Sequence, residues 1–260
     1  MKKNLLKALV KVGWRIPLEY CTWIRRYSKN RDEYPMELKY KKLRKIVTRI
    51  FYGLDMELTV YGLENVPNET CAFFSNHIAA VDPLPIITTL ERPMTFLAKT
   101  ELEHVPFASS AIRAIEGEFL KRDDLKESLR TMMRIEADLK SNRKNWLIFP
   151  EGTRNKDDRA VLLEFHHGTF RPAMKAGVPI VPIAVFGTQR TFDKKSKMKK
   201  YPVQLIFGKP IYQNEYQDMT TQDMAILVQS KIQQMLTYKA RKEDRAVLVK
   251  NLGPAFKENL

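Results

Sequence analysis

Seven short apolar runs punctuate this chain, at Glu57 to Tyr61, Cys71 to Phe74, Met94 to Ala98, Glu118 to Leu120, Trp146 to Phe149, Ile180 to Phe186 and Val203 to Phe207, and helical patterns separate most of them. Runs this short, rich in Val, Ile and Phe, suit strands of a sheet covered by other elements. The intervening helix candidates are Pro83 to Thr89, Ala108 to Ala114, Leu125 to Lys140 and Thr169 to Lys175, and a last one runs from Thr220 to about Tyr238. This alternation predicts an α/β fold built on a largely parallel mixed sheet flanked by helices. A chain of 260 residues is long enough to bury that sheet as one large domain.

Charge is distributed unevenly. The whole chain carries a formal +15, and residues 1 to 50 hold 15 Lys and Arg against Glu19, Asp32, Glu33 and Glu37, a net of +11. Within that stretch Leu5, Leu6, Leu9, Val10, Gly13 and Trp14 recur at helical spacing beside Lys2, Lys3, Lys7, Lys11 and Arg15, and Tyr20, Trp23 and Tyr27 add aromatic residues. A second pattern sets Leu43, Ile46, Val47, Ile50, Phe51 and Leu54 beside Lys41, Lys42, Arg44, Lys45 and Arg49. Residues 1–55 therefore read as an amphipathic two-helix motif for an anionic membrane surface, and residues 56–260 as the α/β domain. The competing reading packs these helices on the core with their basic faces in solvent. No apolar run approaches the ~18 residues of a membrane span, and the first helix is too charged for a signal peptide. A peripheral, monotopic protein on the cytoplasmic face of the cell membrane is the expectation. Nucleic acid is not expected as a partner, since no helix-turn-helix, zinc-finger or RNP-type pattern accompanies the charge. Cys21 and Cys71 are too few for a disulfide scaffold, and neither they nor His104, His166 and His167 have metal-ligand spacing, so no metal and no cofactor are expected.

Chemistry concentrates in Asn76-His77-Ile78-Ala79-Ala80-Val81-Asp82-Pro83. The apolar run before it reads as a buried strand, and Asp82-Pro83 as an N-cap with proline at the first helical position. His77 then lies in a strand-to-helix turn. If the turn folds back, Asp82 accepts the imidazole Nδ1 proton and Nε2 is left to take a proton from a bound hydroxyl. The alternative is a polar turn residue and an ordinary cap.

Phe149-Pro150-Glu151-Gly152-Thr153-Arg154 ends another apolar run with an acid, a glycine, a hydroxyl and a guanidinium, at the kind of carboxyl strand end where α/β active sites lie. Arg154 suits a phosphate fork, and backbone around Gly152 can approach an anion. Gly117-Glu118-Phe119-Leu120-Lys121-Arg122 delivers two more cations from a strand. Val178-Pro179-Ile180-Val181-Pro182 is read for shape, because its prolines set backbone geometry and remove donors.

In this order and spacing the four blocks resemble those of the glycerolipid acyltransferases, over roughly residues 57 to 210, and within them the bacterial 1-acyl-sn-glycerol-3-phosphate acyltransferase branch. The resemblance implies acyl transfer from an acyl thioester, acyl-ACP or acyl-CoA, to the sn-2 hydroxyl of lysophosphatidic acid, giving phosphatidic acid in phospholipid biosynthesis. It implies His77 as general base in the His-x4-Asp motif, with Asp82 stabilising the imidazolium. It places Arg122, Lys121, Glu151, Gly152, Thr153 and Arg154 at the substrate phosphate, with Asn76 and His166 as further candidates. Two departures stand out: His166, His167 and Gly168 follow Phe165 where such proteins usually carry Phe-Lys-x-Gly, and Asn155 stands where Ser is common. Another lysophospholipid or glycerol-3-phosphate is an alternative acceptor, and a non-catalytic basic membrane-binding protein is the alternative class.

Overall fold

The computed structural model describes residues 15–121, 123–155, 161–192 and 198–236. The first predicted helix up to Trp14, the cation Arg122, residues 193–197 of the basic stretch and the end of the last helix near Tyr238 lie outside the described residues.

All seven predicted strands form and join one sheet, in the order β1-β7-β6-β2-β5-β3-β4. Their bounds are Met56–Tyr61 (β1), Ala72–Ser75 (β2), Met94–Lys99 (β3), Glu118–Leu120 (β4), Asn145–Ile148 (β5), Ile180–Phe186 (β6) and Tyr201–Phe207 (β7). Neighbours run parallel except at β6 and β7, which pair antiparallel from Ile183↔Phe207 to Phe186↔Gln204. The sheet is therefore mixed, and β1 and β7 run against the other five. Every residue of β2, β5, β6 and β7 is buried, which is why these runs are continuously apolar instead of alternating. Pro182 is tolerated mid-strand because its carbonyl faces Gly208 just past the end of β7, so the donor it lacks falls where the β6–β7 ladder is only beginning.

Helices cover both faces. Near the N-terminus lie α1 (Arg15–Glu19), a π-helical turn at Tyr20–Ile24, α2 (Arg25–Lys29) and α3 (Met36–Gly53), and then α4 (Pro83–Thr89) and α5 (Pro106–Ala114). All of these but α1 pack with Phe73, Leu147, Val181, Val185 and Leu205. The other face holds α6 (Leu125–Lys140), α7 (Arg171–Ala176) and α9 (Thr221–Met235), packed with Phe74, Trp146, Ile148 and Ile180, and the short α8 (Gln213–Tyr216) puts Tyr216 into the same core. Helix α5 starts two residues earlier than its periodicity suggested because Pro106 fits the first helical turn. The predicted Thr169 to Lys175 helix is split into a 3-10 turn, His167–Phe170, and α7, whose Pro172 sits in the first turn.

In the described part of residues 1–55, the apolar faces serve the protein core. Trp23, Tyr27, Leu43, Ile46 and Val47 are buried in the same cluster as sheet residues, so packing ignores the expected boundary at residue 55. Trp23 and Tyr27 were expected at a membrane interface; instead their rings meet Lys42 at 5.8 and 5.2 Å, and the Trp23 indole donates to Glu19. Among the described residues, no helix is long and apolar enough to cross a membrane.

Helix α3 is also pinned by charge. The ammonium of Lys39, without exposed surface, lies 2.6 Å from Glu116 at the turn before β4, and Lys144 at the start of β5 reaches the same carboxylate at 2.7 Å. Lys144 further pairs with Asp138 at 2.9 Å. Burial alone would favour the neutral acid at Glu116, but hydrogen bonds from Lys144 and Lys39 outweigh it and hold the carboxyl below its usual range. Glu116→Gln leaves the buried Lys39 ammonium without a counter-charge and Lys144 with Asp138 alone, and is expected to cost roughly 3–5 kcal/mol. Because the folded carboxyl titrates lower than an unfolded glutamate at ~4.3, its contribution is complete above that value and is lost as pH falls through the folded one. Denaturant melts should show the wild-type advantage at pH 7 narrowing below about pH 4.

Candidate active site

Strand β2 ends at Ser75 and the chain turns at once into the segment that carries His77. Asn76 makes the turn reproducible: its side-chain amide donates to the Val185 carbonyl at 2.9 Å and its oxygen accepts from the Val185 N–H at 2.8 Å, extending the β2–β6 pairing by one step. Asn76 is wholly buried by this role and is a brace.

The imidazole and carboxylate meet. His77 Nδ1 is 2.8 Å from Asp82 Oδ2, with the histidine side chain 18% exposed and the aspartate at 0%. Asp82 does occupy the N-cap position of α4, yet its side chain does not cap that helix. It points back into the turn, where Oδ2 also accepts from Ile78 N–H at 2.6 Å and Ala79 N–H at 2.8 Å. Its other oxygen, Oδ1, accepts from the Thr188 hydroxyl at 2.5 Å. The His77 ring stacks on Phe149 with centroids 4.4 Å apart. These contacts fix the ring plane and leave Nδ1 as the donor, so Nε2 is the nitrogen able to accept a proton.

Glu151 differs from its expected place at the substrate phosphate. Its side chain is buried, Oε1 accepts from the His77 N–H at 2.7 Å, and Oε2 accepts from the Leu163 N–H at 3.0 Å. The carboxylate spends its lone pairs on backbone, holding the histidine turn against the 161–165 segment. Burial pushes its carboxyl above the usual range, partly offset by those two backbone donors. Asn155 adds a second tie, its N–H donating to the His77 carbonyl at 2.6 Å.

Gly152 has φ +59, the left-handed region, which lets the turn after β5 reverse with its N–H on the Phe149 carbonyl. Thr153 and Arg154 beyond it are exposed, as is Lys121 after β4. Strand order makes the carboxyl ends of β2, β5, β3 and β4 consecutive neighbours, so these groups line one edge beside His77. Lys99, at the end of β3, belongs to the same edge and donates to the Thr153 hydroxyl at 3.4 Å. It was missed in sequence although it ends its strand as Lys121 follows β4. Thr188 was missed for a better reason: it lies 106 residues from Asp82, with no local signal. His166 is exposed next to this turn, its N–H on the Pro150 carbonyl and its own carbonyl accepting from Thr169. His167 pairs with the Thr221 hydroxyl at the start of α9. Cys71, at the buried beginning of β2, has its thiol pushed up to about 12 by burial, so it offers no thiolate nucleophile at neutral pH. Among the described residues, no His, Cys, Asp and Glu side chains are grouped as metal ligands.

The arrangement is a histidine oriented by a buried carboxylate, at the rim of a sheet, beside an edge of cations. A Mycoplasma pneumoniae protein named as a probable 1-acyl-sn-glycerol-3-phosphate acyltransferase is 27% identical over 80% of this chain and 82% of its own length. A Pseudomonas aeruginosa protein named 1-acyl-sn-glycerol-3-phosphate acyltransferase is 30% identical over 62% of this chain and 61% of its own. The crystal structure of the 1-acyl-sn-glycerophosphate (LPA) acyltransferase PlsC from Thermotoga maritima superposes with a TM-score of 0.67 over 89% of this chain and 94% of that one, and at 24% identity this likeness is one of fold. Residues 57–186, half of the sequence and the stretch that carries His77, Asp82 and Glu151, match the model of the family described as Acyltransferase, and the chain belongs to that family.

Proposed function

We propose that this enzyme transfers an acyl chain from an acyl thioester, on a carrier protein or on coenzyme A, to the sn-2 hydroxyl of 1-acyl-glycerol-3-phosphate, releasing phosphatidic acid and the free thiol. The observation that carries the reading is the 2.8 Å contact between His77 Nδ1 and a fully buried Asp82, which commits the other ring nitrogen to proton acceptance. An alcohol is a weak nucleophile at neutral pH. Nε2 removes its proton as the oxygen attacks the thioester carbonyl, and Asp82 stabilises the imidazolium so formed. Collapse of the tetrahedral intermediate breaks the carbon–sulfur bond, and the imidazolium returns the proton to the departing thiolate. The substrate hydroxyl takes the place that a serine side chain holds in other acyl transfers, so no covalent enzyme intermediate is required.

Lys121 and Arg154, with Arg122 by sequence, supply the charge for the phosphate monoester and Thr153 a hydroxyl donor, which orients the substrate hydroxyl toward His77. Glu151 and Gly152 serve the same subsite indirectly, through the backbone they shape. The names of the relatives support lysophosphatidic acid as the acceptor. We assign the protein to the cytoplasmic face of the membrane as a peripheral protein, on the strength of the basic amphipathic pattern over residues 1–14 and a formal charge of +15.

His77→Ala should lower the rate by ~10²–10⁴ or more while the protein stays folded, and Asp82→Asn should follow it closely. Folded His77→Ala enzyme with wild-type turnover in a labelled-thioester assay would remove the mechanism. Arg154→Ala should raise KM for lysophosphatidic acid well above any change in KM for the thioester. Equal effects on both substrates would take Arg154 out of the phosphate site. Replacing Leu5, Leu9 and Trp14 by Glu should release the protein from anionic vesicles even at low salt, because the apolar part of the anchoring is not screened. Sedimentation with vesicles after those changes would place the anchor elsewhere.

A further inference from the structure

Among the described residues, the hydroxyl of Thr188 is the side-chain group that reaches the His77–Asp82 pair from the β6 side of β2, and the blocks that mark the family do not include it. Its position is built. Strand β6 ends at Phe186, Gly187 reverses the chain at φ +97 where an added Cβ would lie 2.2 Å from the Pro202 carbonyl, and Thr188 opens a 3-10 turn that runs to Phe192. Thr188 is 0% exposed and so is Asp82, so water does not replace either partner.

The two oxygens of Asp82 are unequally served. Oδ2 takes three donors, from His77, Ile78 and Ala79, whereas Oδ1 takes the Thr188 hydroxyl. A hydroxyl donated to a carboxylate disperses its negative charge and favours its ionised form. Charge dispersed onto Oδ1 is charge not concentrated against the imidazole. Without that donor a carboxylate still pinned by its other contacts would hold the His77 proton more tightly, and a protonated imidazole is no base. Among the described residues, the other ionisable groups near this pair are the rim cations Lys99, Lys121 and Arg154 at the carboxyl ends of the neighbouring strands, which Thr188 does not contact, and two closer groups. Glu151 lies at the His77 backbone from the turn after β5, and Arg190, in the Thr188 turn, is directed away with its guanidinium on the Pro202 carbonyl and over the Phe186 ring.

We propose that Thr188 is a positioning residue which, by holding Oδ1 of Asp82 and sharing its charge, sets the lower end of the pH range over which His77 acts as a base. The proposal rests on the reading of His77 as the general base. Thr188 touches neither substrate; it acts through Asp82. Thr188→Val keeps the shape and removes the donor, while Thr188→Ser keeps the donor and removes a methyl group.

The chain has four histidines, which permits a direct test by NMR titration of the full-length protein, with the His77 signal identified by its loss in His77→Ala. In Thr188→Val the His77 signal is expected to change over at higher pH than in the wild type, with the other three unmoved, and Thr188→Ser to restore the wild-type curve. The acidic limb of kcat/KM for lysophosphatidic acid should move in the same direction while KM for the acceptor is unchanged. Should Thr188→Val fail to fold, Thr188→Ala carries the same expected shift. An unmoved His77 midpoint, a serine variant that fails to restore it, or a shift shared by all four histidines would overturn the assignment. If the wild type acylates some other hydroxyl and not lysophosphatidic acid, the titration still decides the role of Thr188, and the acceptor alone is revised.

Discussion

A carboxylate with no exposed surface must be surrounded by donors, and Asp82 imposes that demand on the active end of this sheet. The donors come from separate pieces of chain: the His77 ring and the Ile78 and Ala79 N–H groups from the turn after β2, and Thr188 from the turn after β6. Separating any of these pieces would strip a buried charge. The same contacts that make Asp82 tolerable in the interior therefore hold His77 in one orientation.

Around that centre the fold repeats one device, a buried polar side chain that satisfies backbone groups of a neighbouring segment. Asn76 joins the end of β2 to Val185 on β6, and Glu151 joins the histidine turn to Leu163. Each brace turns a loop, which would otherwise be mobile, into an extension of the sheet. Preorganisation of this kind is what general-base chemistry requires, since a misdirected imidazole forfeits much of the rate. The cations differ. Lys121 and Arg154 stay exposed at the rim, whereas Lys39 and Lys144 at the opposite end are buried on Glu116 and tie α3 to the sheet.

Burial on both faces also explains the N-terminal region. A helix with one apolar stripe fits a membrane surface and a protein core equally well in sequence, because the stripe records burial and not the identity of what buries it. In α3 the stripe of Leu43, Ile46 and Val47 went to the core, and the exposed Lys41 and Lys45 lie outside. A membrane role for this part of the protein therefore rests on the basic face and on the residues before α1.

Much of the fold was legible because its signals are local. Continuous apolar runs such as Ile180 to Phe186 announce strands buried on both faces, and the proline at 83 announces a helix start, while the same signal at 106 was passed over for periodicity. The His77 and Asp82 pair was legible for the same reason: five residues within one turn leave few geometries. Local pattern could not tell which polar side chains of the motif blocks face substrate and which face backbone. Asn76 and Glu151 sit in the most recognisable blocks, yet both are consumed by braces to Val185 and Leu163. Thr188 carried no mark in sequence at all. Strand order alone decides that the end of β6 lies beside the end of β2, because pairing across a sheet is set by packing between distant segments. The sequence by itself determined the elements, the His77–Asp82 pair and the charge at the rim, and the tertiary structure decided what holds that pair in place.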